Sequence, residues 1–343
     1  FLQGLGTGAI NVALYVVVAK IYPSALHPKI FGTFAAAWVL PSMIGPPVAG
    51  VVAETFSWHW VFLGVGVLVL VAAGAIIPAL RQLNRAPASL VDTTPSPGKR
   101  WHIVWAIIVA AAVLAISIGG ESGGSLSWVI ALVALVVVIF ALRPLLPSGA
   151  LLLRRGLPST VILRGAIAAA FFGTEVYLPY MLHDAYGLPS WLSGLILTVG
   201  AVSWALGSAL QSRWGDRIAH DVVMRVGSSL LVVGLAVQLL TAFFHLSPFV
   251  AAAGWFISGG GMGLIFPRIS TLVLSYSSER DQGFNSAAMT IADATGGATA
   301  IAFAGLFFAA FGSAASGSFV AALTFTVTLG ILSLPIAFRV RER

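Results

Sequence analysis

Two carboxylates stand where water is scarce. Glu175 falls in Phe171-Phe172-Gly173-Thr174-Glu175-Val176-Tyr177-Leu178-Pro179, and Asp293 lies in the run from Phe284 to Phe308, each inside an apolar stretch of bilayer length. A mid-membrane charge costs about 2.5 to 3.5 kcal/mol even on insertion scales, so such residues tend to be functional. A carboxyl group taken out of water holds its proton more firmly, which brings uptake and release toward neutral pH. Asp293 is about ten residues into its stretch, roughly 15 Å at helical rise, and so near the midplane. Ser286, Thr290 and Gly297 share its face at helical spacing. That polar strip would line a watery cavity, or the same groups would form an interhelical hydrogen-bonding cluster. Glu175, toward the outer half of its helix, would be a second proton carrier or a neutral, hydrogen-bonded structural group. Depth makes Asp293 the first candidate for proton coupling.

Other polar residues fall in or near apolar runs. Arg268, after Pro267 and Gly259-Gly260-Gly261-Met262-Gly263, would pair with one of these acids or, as the stronger expectation, snorkel to the cytoplasmic interface. Gln3 and Asn11 are further cavity-facing candidates. The six histidines (His27, His59, His102, His183, His220 and His245) all fall at the ends of apolar stretches, and no HExxH pattern appears. No metal or other cofactor is expected from that pattern. With no cysteine present, disulfides, thiolate metal sites and cysteine nucleophiles are excluded.

The elements that must position these groups are transmembrane helices. Of 343 residues, 59% are hydrophobic and 8% charged, against about 25% charged in an ordinary soluble domain. Hydropathy and turn signals predict spans at Leu2 to Ile21, Phe31 to Ala53, Val61 to Leu80, Ile103 to Gly119, Trp128 to Leu142 and Val161 to Leu182. Five more are predicted at Leu192 to Ser212, Val226 to Phe244, Phe249 to Tyr276, Phe284 to Phe308 and Phe319 to Phe338. The fold class is an all-α polytopic membrane protein with about eleven visible helices, because lipid offers no partner to unpaired backbone.

The basic residues alternate by connection. Lys20 and Lys29, then Arg81, Arg85, Lys99 and Arg100, then Arg143, Arg154, Arg155 and Arg164 mark every second connection. Arg213, Arg217 and Arg225, then Arg268 and Arg280, then Arg339, Arg341 and Arg343 continue the series, and the intervening connections carry no Lys or Arg. The net charge of +7 therefore reads as membrane topology and not as a nucleic-acid surface. It places the carboxyl terminus in the cytoplasm and Phe1 on the outer side. Phe1 opens inside an apolar run with no initiator methionine or basic leader, which reads as truncation, as does an odd span count. Arg81 to Trp101 carries Pro87, Pro95, Pro97 and Gly98 and reads as a flexible linker.

Four motifs carry a family resemblance. Phe1-Leu2-Gln3-Gly4-Leu5-Gly6-Thr7-Gly8-Ala9 resembles the start of the fourth helix of major facilitator superfamily transporters, whose arginine would fall just before Phe1. Gly45-Pro46-Pro47-Val48-Ala49-Gly50 is similar to the fifth-helix antiporter motif, with Ala49 for one glycine. It is followed by Ser57-Trp58-His59-Trp60-Val61-Phe62, similar to a sequence preceding the sixth helix of drug antiporters. Ser212-Arg213-Trp214-Gly215-Asp216-Arg217 loosely resembles the family's cytoplasmic loop motif, with Asp216 and Arg217 retained. Gly45, Gly50 and the glycines at 4, 6 and 8 would let helices approach closely, and Pro46 would bend its helix. With two extra spans, the resemblance implies the fourteen-helix drug:proton antiporter family, about three helices being lost.

The domain reading that follows is 1–80 for the remainder of the first half, 81–102 for the linker, 103–145 for the two extra helices and 146–343 for a six-helix second half. The resemblance implies a monomeric, multi-pass protein of a bacterial cell membrane. It would export small hydrophobic or cationic compounds in exchange for protons. A solute importer of the same superfamily is the alternative, and a membrane-embedded enzyme a weaker one, since no Asp, His and Ser cluster gathers at one membrane face.

Overall fold

The computed structural model describes residues 3–10, 22–23, 26–83, 99–121, 124–214, 217–311 and 315–341. Residues 3–10 are helical. Ten further α-helices follow among the described residues: α1 (His27–Thr55), α2 (Trp58–Leu83), α3 (Lys99–Glu121), α4 (Ser125–Leu142), α5 (Leu157–Asp184), α6 (Ser190–Trp214), α7 (His220–Phe244), α8 (Pro248–Ser275), α9 (Gln282–Ala310) and α10 (Ala315–Ala337). Among the described residues, eight helices, α3 to α10, are long and apolar enough to cross a membrane. Asn11, Asp216, the 84–98 part of the linker and Arg343 lie outside the described residues.

The helices outrun the apolar stretches that predicted them, because hydropathy marks the hydrocarbon slab while hydrogen bonding marks the helix. α7 begins six residues before Val226, at His220, and draws Arg225 into the helix. Asp221 sits in its first turn, where the helix dipole favours an acid, and pairs with Arg225 one turn later. α5 begins four residues before Val161, with Pro158 in its first turn. Proline suits that position because the N–H it lacks would have had no partner.

Helices α5 to α10 pack as one body. α8 lies between α6 and α7, while α5 packs on α9 and α10 and also touches α6, α7 and α8. Small residues permit this in lipid, where close approach replaces the hydrophobic drive. A Cβ on Gly207 of α6 would stand 2.5 Å from the Gly260 carbonyl, and one on Gly261 of α8 would stand 2.6 Å from that of Gly227 on α7. The glycine run of α8 therefore seats neighbours on opposite sides. Phe171 fills the centre, stacked on Trp255 with ring centroids 4.5 Å apart and edge-on to Trp204.

Pro267 inside α8 has no N–H to give the Gly263 carbonyl four residues earlier. Ser208 of α6 supplies that hydrogen bond at 3.1 Å, so the interruption is compensated by a neighbouring helix. The pair α3 and α4 stands outside this body, held mainly by α9. α1 packs on α2, α6 and α8.

Candidate functional site

Asp293, eleven residues after the start of α9, is held in an ion pair. The Arg164 Nε of α5 lies 3.2 Å from its Oδ1, with the aspartate side chain 24% exposed. The same guanidinium donates through Nη1 to the Phe266 carbonyl at 3.2 Å and to Ser270 Oγ at 3.4 Å, both on α8. It also covers the Phe266 ring. One arginine, 4% exposed, thus joins α5, α8 and α9. The charge of Asp293 is balanced at contact distance and the fork of Arg164 is spread over fixed acceptors.

The crossing of α5 and α9 makes this pair possible. Gly165 follows Arg164 directly, and a Cβ on it would stand 2.8 Å from the Ala292 carbonyl. Gly296, one turn beyond Ala292, backs onto Gly165 in return. Any larger residue there would move Asp293 away from Arg164.

The sequence assigned Arg164 to the fifth connection, as a marker of topology. The structure corrects this: Arg164 is seven residues inside α5. The signal was available, since the span predicted from Val161 already contained it. Asp293 pairs with Arg164 and not with Arg268. Arg268 is 2% exposed and donates from Nη2 to the Ile218 carbonyl, 3.1 Å away in the α6–α7 connection. Its head reaches the connection as snorkelling would require, but inside protein and not in the lipid interface.

The strip on α9 is only partly open. Ser286 and Gly297 are buried, with Phe172 packed over Gly297, while Thr290 is half-buried. Thr290 Oγ1 donates to the Ser286 carbonyl at 3.0 Å, so its hydroxyl is used within its own helix.

Glu175 lies eleven residues beyond Arg164 on α5, about 16 Å along the helix axis. Residues 164, 168, 171, 175 and 178 follow one face of α5. Glu175 is half-buried. Among the described residues it makes neither a hydrogen bond nor an ion pair. Pro179 lies four residues on and has no N–H to give the Glu175 carbonyl, so backbone polarity adds to the side chain's at this level. Just inside the neighbouring turn, Thr174 Oγ1 donates to Thr326 Oγ1 of α10 at 2.8 Å.

Of the motif residues, Gly50 touches α6: a Cβ there would lie 3.3 Å from the Trp191 Cα. Gly45 and the glycines at 4, 6 and 8 have no described atom that close, and Pro46 lies within α1. Gln3 and Arg217 are exposed. Among the described residues no group of three His, Cys, Asp or Glu could hold a metal ion.

The site is thus a bundle of apolar helices holding an Arg–Asp ion pair and a glutamate without a partner among the described residues. The family model described as Major Facilitator Superfamily matches residues 1–301. The chain belongs to that superfamily. It is a multi-pass membrane protein of a transporter family, not an enzyme family. It is similar to the multidrug transporter protein MdtP of Bacillus subtilis (strain 168), 25% identical over 297 residues, covering 82% of this chain and 52% of that protein. It is also similar to the multidrug efflux pump SdrM of Staphylococcus aureus (strain N315), 22% identical over 279 residues, covering 79% of this chain and 60% of the other. The chain spans about half the length of the curated relatives it matches. Among solved structures, the human organic anion transporter MFSD10 (TETRAN) aligns with a TM-score of 0.47 at 18% identity, over 96% of this chain and 83% of that one.

Proposed function

We propose that the protein carries out proton-coupled efflux of small hydrophobic or cationic compounds across a bacterial cytoplasmic membrane, as a monomer with a cytoplasmic carboxyl terminus. Residues 1–80 and 146–343 then belong to the two halves of the transporter, with 81–102 as linker and 103–145 as extra helices. The relatives named as multidrug transporters support the substrate class. The observation that carries the coupling is Glu175, an acid inside a transmembrane helix, half-open and without a partner among the described residues. A carboxyl in that setting is free to exchange its proton with whatever reaches the cavity, including a cationic substrate that competes for the same charge. Asp293 takes part differently, as the acid that Arg164 ties to α5 and α8. Gln3, Asn11 and Thr290 are assigned to the cavity wall, and Gly45, Pro46 and Gly50 to the moving contact between halves. Asp216 and Arg217 are assigned to the cytoplasmic loop.

The test uses the whole protein in proteoliposomes. Glu175→Gln should abolish substrate movement driven by a pH gradient while retaining substrate exchange between the two sides. Gradient-driven efflux at the wild-type rate would discard Glu175 as the coupling group.

A further inference from the structure

Three span ends meet at one end of the bundle: the end of Ser125–Leu145, the start of Leu157–Asp184 and the end of Gly317–Ala337. The connection between the first two, residues 146–156, is a built platform and not a slack loop. Leu146 and Ala150 are buried in the main core. Leu152 N donates to the Gly149 carbonyl at 3.2 Å, Leu153 N to that of Ala150 at 2.9 Å, and Arg154 N to that of Gly149 at 3.1 Å. Gly149 and Leu153 both take left-handed backbone, with φ of 82° and 51°. A leucine held there is strained unless its surroundings fix it. The fixing comes from Arg339, two residues past the end of α10, which donates from Nη1 to the Leu153 carbonyl at 3.2 Å. The Arg339 carbonyl in turn accepts from Gly156 N at 3.0 Å.

This geometry turns Leu152 outward, 72% exposed, with Leu151 beside it. Arg154, Arg155, Arg339 and Arg341 are exposed around them. No acidic residue lies between Arg143 and Arg164, and Glu342 is the one acid in the chain segment that carries Arg339 and Arg341. Leucines beside arginines at the level where helices leave the hydrocarbon match the two parts of a phospholipid, acyl chain and anionic headgroup.

We infer that the platform at residues 146–156, with Arg339, is a binding site for an anionic phospholipid, its phosphate held by Arg154, Arg155 and Arg339 and its upper acyl chain lying on Leu151 and Leu152. A free phosphate would satisfy the arginines but leave the leucines in water. The site ties the lipid to α5, the helix that carries Arg164 and Glu175.

The test is titration of the purified whole protein in detergent with phosphatidylglycerol, phosphatidylcholine or inorganic phosphate, read as bound lipid by native mass spectrometry and as melting temperature. Phosphatidylglycerol should bind saturably and raise the melting temperature, and the other two should not. The double variant Arg154→Gln/Arg155→Gln should bind it about 25-fold more weakly, at roughly fivefold per arginine. The charge-preserving pair Arg154→Lys/Arg155→Lys should retain most of the binding, which separates loss of charge from loss of fold. Leu152→Ser, with every arginine kept, should also weaken binding. The inference is overturned by equal binding of phosphatidylcholine, by phosphate reproducing the stabilisation, or by Gln variants that bind as the wild type does.

Discussion

Asp293 is held 3.2 Å from the Arg164 guanidinium, whereas Glu175, on the same face of Arg164's helix, has no partner among the described residues. Both acids interrupt apolar helices, and removal from water penalises both. At Asp293 the penalty is met by the buried charge of Arg164, brought across a glycine crossing. At Glu175 it is met by leaving the side chain half-open beside a proline-interrupted turn. The contrast separates two uses of a membrane acid. A paired acid fixes helices relative to one another, and an unpaired one remains available to protons and cations. The same isosteric change, acid to amide, should therefore have opposite consequences at the two sites.

The largest effect is expected at the pair. Asp293→Asn leaves the Arg164 charge buried with no counter-ion, and breaking a buried pair from one side costs about 3 to 5 kcal/mol. Expression and melting temperature should fall together. Adding Arg164→Gln to Asp293→Asn removes the orphaned charge and should restore most of the loss. A stable, well-expressed single Asp293→Asn protein would show that the pair contributes little, and the contrast with Glu175 would collapse.

Gly165→Ala attacks the same pair through the backbone. Its Cβ would meet the Ala292 carbonyl at 2.8 Å, forcing α5 and α9 apart at a cost of about 1 to 3 kcal/mol, as overpacking generally does. Arg164 and Asp293 remain chemically intact. A melting temperature unchanged by Gly165→Ala would mean that this crossing has slack and that the pair does not depend on it.

Glu175→Gln should barely move stability. It removes no partner, so the shift should stay within about 0.5 kcal/mol, as for substitutions that touch no special feature. Its effect is expected in gradient-driven transport, as proposed above. If melting falls as far as with Asp293→Asn, Glu175 is a structural acid and the comparison fails from the other side.

Most of the fold could be read from the sequence because bilayer thickness imposes one length on every span and hydropathy reports that length directly. The helix ends were less legible, for a reason Arg164 and Arg225 make concrete. Both are arginines near the start of a helix, and an arginine there looks the same whether it marks a loop, pairs on the surface or turns inward. What distinguishes them is the partner: Asp221 is four residues away in the chain, whereas Asp293 is on another helix. Spacing along one helix can suggest the first partnership, but only packing reveals the second. Asp293 and Glu175 were visible as anomalies from composition alone, while the difference between them was not, because it rests on a glycine crossing between α5 and α9. Ser208's compensation of Pro267 is likewise set by packing between helices and leaves no mark in the sequence.

The smallest predicted effect uses the second Arg–Asp pair as a control. Arg225 and Asp221 also form an ion pair, but the arginine is 39% exposed and both lie in the first turns of α7. Water already solvates the arginine, so losing its partner leaves it hydrated, whereas Arg164 would be stranded. Asp221→Asn should therefore cost only about 0.3 to 0.5 kcal/mol, the usual worth of an exposed pair one turn apart. Raising the salt concentration should shrink that difference, because a layer of ions roughly 10 Å thick at 0.1 M screens the exposed Arg225 but does not reach the buried Arg164. The measurement is the melting temperature of wild type, Asp221→Asn and Asp293→Asn at low and high salt. Salt should close most of the gap for Asp221→Asn and leave the gap for Asp293→Asn. Equal salt sensitivity at the two sites would mean that solvent reaches Arg164 as freely as Arg225, and the distinction between a pair that locks helices and one that decorates a surface would be lost.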